Sequence, residues 1–286
     1  MNKKPASRAF LSLVQCSPMI QMSNNLFEAA LCCIKIEDPF EKASATRTLY
    51  KQWCGEELDA RSLNEPERIL NPGRPESPRL VDPRRVPKRG FKSRQGLVKL
   101  AHAIAHIEFN AINLALDAVQ RFGDMPEQFY ADWLRIADEE AYHFELIRAH
   151  MRHLGADYGD YSAHNGLWEM CEKTAHDPLI RMALVPRVLE ARGLDVTPGI
   201  QKKLSQVGDH NAVSLLDIIL RDEIGHVEIG NRWFRYCCKE RGLKPESIFF
   251  ELLDEYYPKG LMGPFNLEAR EKAGFSEREI SLLTQD

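Results

Sequence analysis

The chain has 286 residues with a formal net charge of -4, and hydrophobic residues at 44% against charged residues at 28% describe an ordinary globular protein. The mean hydropathy of -0.39 and the 13 Phe argue against wholesale disorder, and no apolar run approaches the ~18 residues that a membrane span requires. The acidic balance, with a pI near 6.2, removes a global electrostatic case for nucleic acid, so partners must be argued locally.

In chain order, Lys3, Lys4 and Arg8 precede AFLSLVQC, which superficially resembles a short leader. The apolar run is too short and no small-residue cleavage site follows, so a cytoplasmic location is expected. Seven cysteines without any Cys-x-x-Cys fit reduced core thiols, not a disulfide framework or a zinc ribbon. Residues 1–65 read as a helical accessory segment, with two short helices in 24–54 broken at Pro39. Residues 66–94 form a Pro-rich strap, with prolines at 66, 72, 75, 78, 83 and 87 favouring an extended path. It runs into Arg84, Arg85, Lys88, Arg89, Lys92, Arg94 and Lys99, read as a solvated surface and, in the sharper alternative, as a strip for polyanions.

From 95 to 240 the periodicity predicts long helices near 95–122, 126–153, 178–193 and 209–240, with Asp177 as a cap and Pro178 at the first helical position of the third. Strand-like alternation is almost absent, so the fold class is all-α. The 154–177 connection is long enough to travel the length of a bundle of ~28-residue helices, about 42 Å. Pro186 and GLDVTPGI at 193–200 predict a kink or break in the third helical region. Residues 241–286 read as short helices joined by Pro/Gly turns, capping the bundle.

Two Glu-x-x-His motifs carry the chemistry: Glu140 with His143, and Glu223 with His226. Each places a carboxylate and an imidazole on one helix face. With nine His in the chain, roughly one such match arises by chance, so neither motif means much alone. The pair repeats, however, with Glu108 and Glu190 lying 32 and 33 residues upstream on preceding helices. Apolar neighbours at helical spacing surround Glu108, Glu140 and Glu223; Glu190 is the least well flanked, with Arg187 one turn earlier. Four carboxylates converging in a low-dielectric interior repel one another and must protonate or recruit cations. Two divalent metals balance the four charges, and carboxylate oxygens with imidazoles suit iron, or alternatively manganese, better than thiolate-seeking metals; the ligand count disfavours zinc. Tyr142, a conceivable redox tyrosine, falls off the ligand face, and His102 with His106 read as a surface pair.

This arrangement resembles the ferritin-like di-iron carboxylate proteins over about 95–240, a pattern in which two helices each give a Glu and two give Glu-x-x-His. The resemblance implies a four-helix bundle in which Glu108 with His143, and Glu190 with His226, are terminal ligands and Glu140 and Glu223 bridge. Glu139 and Asp222 match the carboxylates that orient ligand histidines in some di-iron oxygenases. The strings NPGRPESPRLVDPRRVPKRG, HIEFNAINLALDAVQRF and GPFNLEAREKAGFS are similar to a bacterial ferritin-like family of unknown function. The function so implied is an O2-activating oxidase or hydroxylase acting on an organic substrate, with an electron donor and an oligomer as possible partners and nucleic acid disfavoured. Iron storage with ferroxidase activity and a non-catalytic metal-stabilised scaffold are the competing readings.

Overall fold

The computed structural model describes residues 23–61 and 65–283; the leader-like stretch between Lys3 and Cys16 lies outside them. Among the described residues every regular element is helical, and strand-like pairing is confined to two isolated bridges, Asn25 with Asp59 and Leu80 with Ala163. Among the described residues no helix is long and apolar enough to cross a membrane.

Two short helices come first, α1 (Leu26–Lys35) and α2 (Pro39–Cys54). Each starts on a side chain that accepts orphan backbone N–H groups: Asn25 from Phe27 and Glu28, Asp38 from Phe40 and Glu41. The long elements follow as α3 (Arg94–Arg121), capped by Ser93, and α4 (Glu127–His153). A short α5 (Gly166–Lys173) lies within the connection to the next long element, which is built from α6 (Pro178–Leu184), a π-helical segment (Val185–Glu190) and α7 (Ala191–Gln206). Asp177 caps α6, with Pro178 at its first position. Then come α8 (His210–Glu240), capped by Asp209, and the small helices α9 (Pro245–Tyr256), α10 (Leu267–Lys272) and α11 (Glu277–Leu283). α3 lies along α4, α4 meets α8, and α8 packs on the α6–π–α7 element; α1 and α2 cover α3 and α4 from outside. One continuous apolar core, from Leu26 to Phe275, joins these layers.

Helix α7 corrects one expectation. The chain does not break at 193–200; it stays helical through Pro198. A helical proline frees the carbonyl four residues earlier, here that of Leu194, and the Asn266 side-chain amide donates to that oxygen at 3.2 Å. Arg270 reinforces the contact with two hydrogen bonds to buried Asp195, at 2.9 and 2.7 Å. The irregularity predicted around Pro186 is present and takes the form of the π segment.

The strap is extended as read, apart from a 3-10 turn at Pro83–Arg85, and it is tied down by an interaction that no pattern in the sequence announces. Lys42 of α2 is fully buried and donates to Ile34 O (2.8 Å), Gly73 O (2.7 Å) and Asn113 Oδ1 (2.5 Å), linking α1, the strap and α3. Burial lowers its pKa to about 7. Gly73 must be glycine, because a Cβ there would sit 2.3 Å from Lys35 O. All six cysteines among the described residues are free, but Cys32 and Cys54 are exposed, so not every thiol belongs to the core.

Lys42→Ala takes the ammonium donor from Gly73 O and Asn113 Oδ1, leaves Ile34 O with only the Gly73 N–H, and opens a void, so it is expected to lower the unfolding free energy by about 3–5 kcal/mol. Lys42→Met restores volume but no donor, and should recover less than half of that loss in urea titrations.

Candidate metal centre

The four long elements each deliver part of one cluster. Glu108 comes from α3, Glu140 and His143 from α4, Glu190 from the last residue of the π segment, and Glu223 with His226 from α8. Glu140, His143 and His226 are completely inaccessible, and Glu108 and Glu223 are buried. Donor atoms of Glu108, Glu140, His143 and Glu223 all lie within 4.8 Å of one another, a group that can hold a metal ion. His143 Nδ1 is 3.5 Å from Glu108 Oε2 and 3.6 Å from Glu140 Oε2. His226 Nδ1 is 3.0 Å from Glu140 Oε1 and 3.8 Å from Glu223 Oε2. Glu140 therefore stands between the two imidazoles, one oxygen toward each.

The outer edges of the rings are held in a crossed pattern. His143 of α4 places Nε2 3.1 Å from Asp222 of α8, while His226 of α8 places Nε2 2.7 Å from Glu139 of α4. Each carboxylate fixes its ring so that Nδ1 faces the cluster. In consequence the inner atoms lack partners: Glu108 Oε2, both Glu140 oxygens, His143 Nδ1, Glu190 Oε2, Glu223 Oε2 and His226 Nδ1 are buried without a hydrogen bond. Unpaired buried polar atoms are costly and rare. Seven around one point, all carboxylate oxygen or imidazole nitrogen, fit a hard or borderline cation.

Glu190 stands at the rim; the residue is half-buried, although its Oε2 is sealed. In an α-helix Arg187 would share its face, but the i→i+5 pattern widens the turn and separates the two. Arg187 instead turns into the C-terminal layer, ion-paired with buried Glu279 of α11 and stacked 3.8 Å from the Phe249 ring centroid. The π segment is seated on α8 at Gly230, where a Cβ would lie 2.3 Å from Pro186 Cβ.

Electrostatics follow from this burial. Desolvation, then the charge of Glu140, raise the Glu108 pKa to about 7 and the Glu190 pKa to about 8, and push Glu223 up as well. Glu140 goes the other way: burial opposes its charge, but contacts with His143 and His226 outweigh that and hold it below the usual carboxylate range. Burial likewise opposes charge on both imidazoles, yet their carboxylate partners carry the pKa of each upward. Without a cation the cluster is held together by protons.

Of the six sequence-predicted donors, Glu108, Glu140, His143 and Glu223 fall in one group and His226 reaches Glu140 and Glu223, whereas Glu190 lies outside that group; Glu139 and Asp222 sit behind the histidines. Tyr142 faces outward, as its register implied, under the guanidinium of Arg47. His102 and His106 do not form the expected surface pair; both are buried, and the nitrogens of His106 bond to Tyr158 OH and His164 O, each at 2.9 Å. The role of Arg187 and Gly230 in setting the π segment escaped the sequence reading, although Pro186 was a signal.

The model of a family described as "Protein of unknown function (DUF455)" matches residues 35–281, a span that includes every residue of the cluster. The chain belongs to the DUF455 family. A protein of Haemophilus influenzae, described as an uncharacterized protein, is 53% identical to it over 216 residues, covering 73% of this chain and 75% of that one. No solved structure matches.

Two outcomes are expected of this family member. A metal must displace the protons held on Glu108, Glu190, Glu223 and the two imidazoles, so apparent affinity should rise with pH, by about tenfold per unit for each of these groups in the range below its pKa. Competition titrations with Mn(II) at several pH values check this, and a flat profile would contradict it. Gly230→Ala should drive the π segment off α8, with a loss of about 1–3 kcal/mol in urea titrations and weaker metal uptake.

Proposed function

We propose that the protein is a ferritin-like four-helix bundle, spanning about 95–240, that holds two divalent ions, iron before manganese, and activates O2 to oxidise or hydroxylate an organic substrate. The observation that carries this reading is the set of seven unpartnered inner atoms backed by the crossed pairs His143–Asp222 and His226–Glu139. By the resemblance, Glu108 with His143 and Glu190 with His226 are terminal ligands. The same resemblance would make Glu140 and Glu223 the ligands shared between the ions, and the position of Glu140 between both imidazoles supports that role.

Bound ferrous iron supplies the electrons with which O2 is reduced, and turnover then calls for an external electron donor. The chain's own groups do the rest. Asp222 and Glu139 keep the Nε2 protons in place, so that the Nδ1 lone pairs stay on the cluster side. The sealed walls around Glu140 exclude water and strengthen every charge interaction inside. A scaffold would be served by a closed site, whereas the half-buried Glu190 and the 11% exposed side chain of Glu223 leave an edge toward solvent. That edge supports an enzyme over a structural metal. Free cysteines accord with a reducing, cytoplasmic setting.

Anaerobic titration with Fe(II) is expected to saturate at two ions per chain, and air should then be consumed in a burst. Glu223→Ala should bind fewer ions and yet, in chelator, melt at or above the wild-type temperature, since one of several mutually repelling acids is gone. No Fe(II) binding, or a variant that unfolds in chelator while the wild type does not, would overturn the reading. A shell-sized oligomer accumulating ferric iron would replace it with storage.

A further inference from the structure

A cavity of about 180 Å³ lies on the flank of α3, under the strap. Its apolar walls come from Val86 and Pro87 of the strap, Ile107 of α3, Leu167 of α5 and Leu189 of the π segment. Ile107 and Leu189 immediately precede Glu108 and Glu190, so the cavity touches two of the elements that deliver the cluster, one residue away on each. α5 rests against both α3 and the π segment, roofing the groove between them. Ile107 is 46% exposed, an unusual position for a large aliphatic side chain beside a buried glutamate.

Charge at the cavity has one sign. Arg89 and Lys99 line it, and neither forms an ion pair among the described residues; Lys99 is held over the Tyr161 ring, 5.8 Å from its centroid. Three histidines also stand in the wall, and hydrogen bonds occupy them. His106 has both nitrogens engaged, His102 Nε2 accepts the Gly159 N–H at 3.1 Å, and His164 Nδ1 accepts the Gly166 N–H at 3.1 Å. The cavity is smaller than the roughly 300–1,000 Å³ of sites for drug-sized ligands, which argues for a small molecule.

We propose that this cavity binds a small organic anion, an apolar body carrying a carboxylate or a phosphate, with the anionic group on Arg89 and Lys99 and the body against Ile107 and Leu189, directed at the metal cluster. It rests on the proposed function only in making that anion the substrate of the cluster.

Octanoate is the probe, titrated by calorimetry into chelator-treated full-length protein so that no metal can ligate it. Octanoate is expected to bind, with octylammonium at least about tenfold weaker. Arg89→Met and Lys99→Met should each weaken octanoate about tenfold while the circular dichroism spectrum stays unchanged, and Ile107→Trp, which fills the cavity, should abolish it. Equal binding of octanoate and octylammonium, or variants that bind like wild type, would overturn the anion site. The link to the cluster is read in Co(II)-loaded protein, where octanoate should alter the visible absorption in wild type but not in Ile107→Trp; an unaltered spectrum overturns that link. Failure of the chain to take up any metal while octanoate still binds leaves the anion site standing and removes the proposed function alone.

Discussion

Burying Glu108, Glu140 and Glu223 around two histidines, with Glu190 at the rim, is the constraint on which the other features of the helical fold depend. In a low-dielectric interior such a cluster is tolerated only if protons, imidazolium groups or a cation neutralise it. The raised pKa values of Glu108 and Glu190 describe the protonic solution, and the inward-facing Nδ1 atoms of His143 and His226 describe a cluster shaped for a cation. A metal held there would replace protons at one place, which would make its occupancy a function of pH.

Geometry at the cluster is maintained from outside it. Asp222 and Glu139 restrain each histidine from the opposite helix, so α4 and α8 cannot slide past one another without breaking both contacts. Glu190 depends on a different device. The π segment sets its direction, Gly230 lets Pro186 approach α8, and the buried Arg187–Glu279 pair ties the same segment to the C-terminal layer. Removing one partner of such a buried pair strands a charge, typically a loss of about 3–5 kcal/mol, so α9–α11 act on the site although they contribute no donor.

The accessory layers use the same chemistry of buried cations on carbonyl and carboxylate acceptors. Lys42 pins the strap to α1 and α3, Arg181 reaches Asp117 at 2.7 Å from α6 to α3, and Arg270 meets Asp195 across α10 and α7. The Lys42 contact holds the extended strap against α3, and Val86 and Pro87 further along that strap line the cavity.

Periodicity and capping residues determined α3, α4 and α8, and the start of α6, to within a residue or two, because 3.6-residue apolar spacing and the Ser93, Asp177 and Asp209 caps act locally; the third helical region continues to Gln206, well past the expected 193. The duplicated Glu and Glu-x-x-His spacing likewise pointed to the buried acids Glu108, Glu140 and Glu223, since an acid flanked by apolar neighbours has only the interior to face, whereas the less well flanked Glu190 stays half-buried. What the sequence alone could not settle depends on partners distant along the chain. Pro198 stays helical because Asn266 takes up the freed Leu194 carbonyl, Lys42 is buried because three separate segments bring it acceptors, and Arg187 turns away from Glu190 because the π segment and three aromatic rings receive it. Local pattern fixes which face of a helix is apolar, whereas the fate of a polar group inside the molecule is set by whichever donor or acceptor the folded chain carries to it.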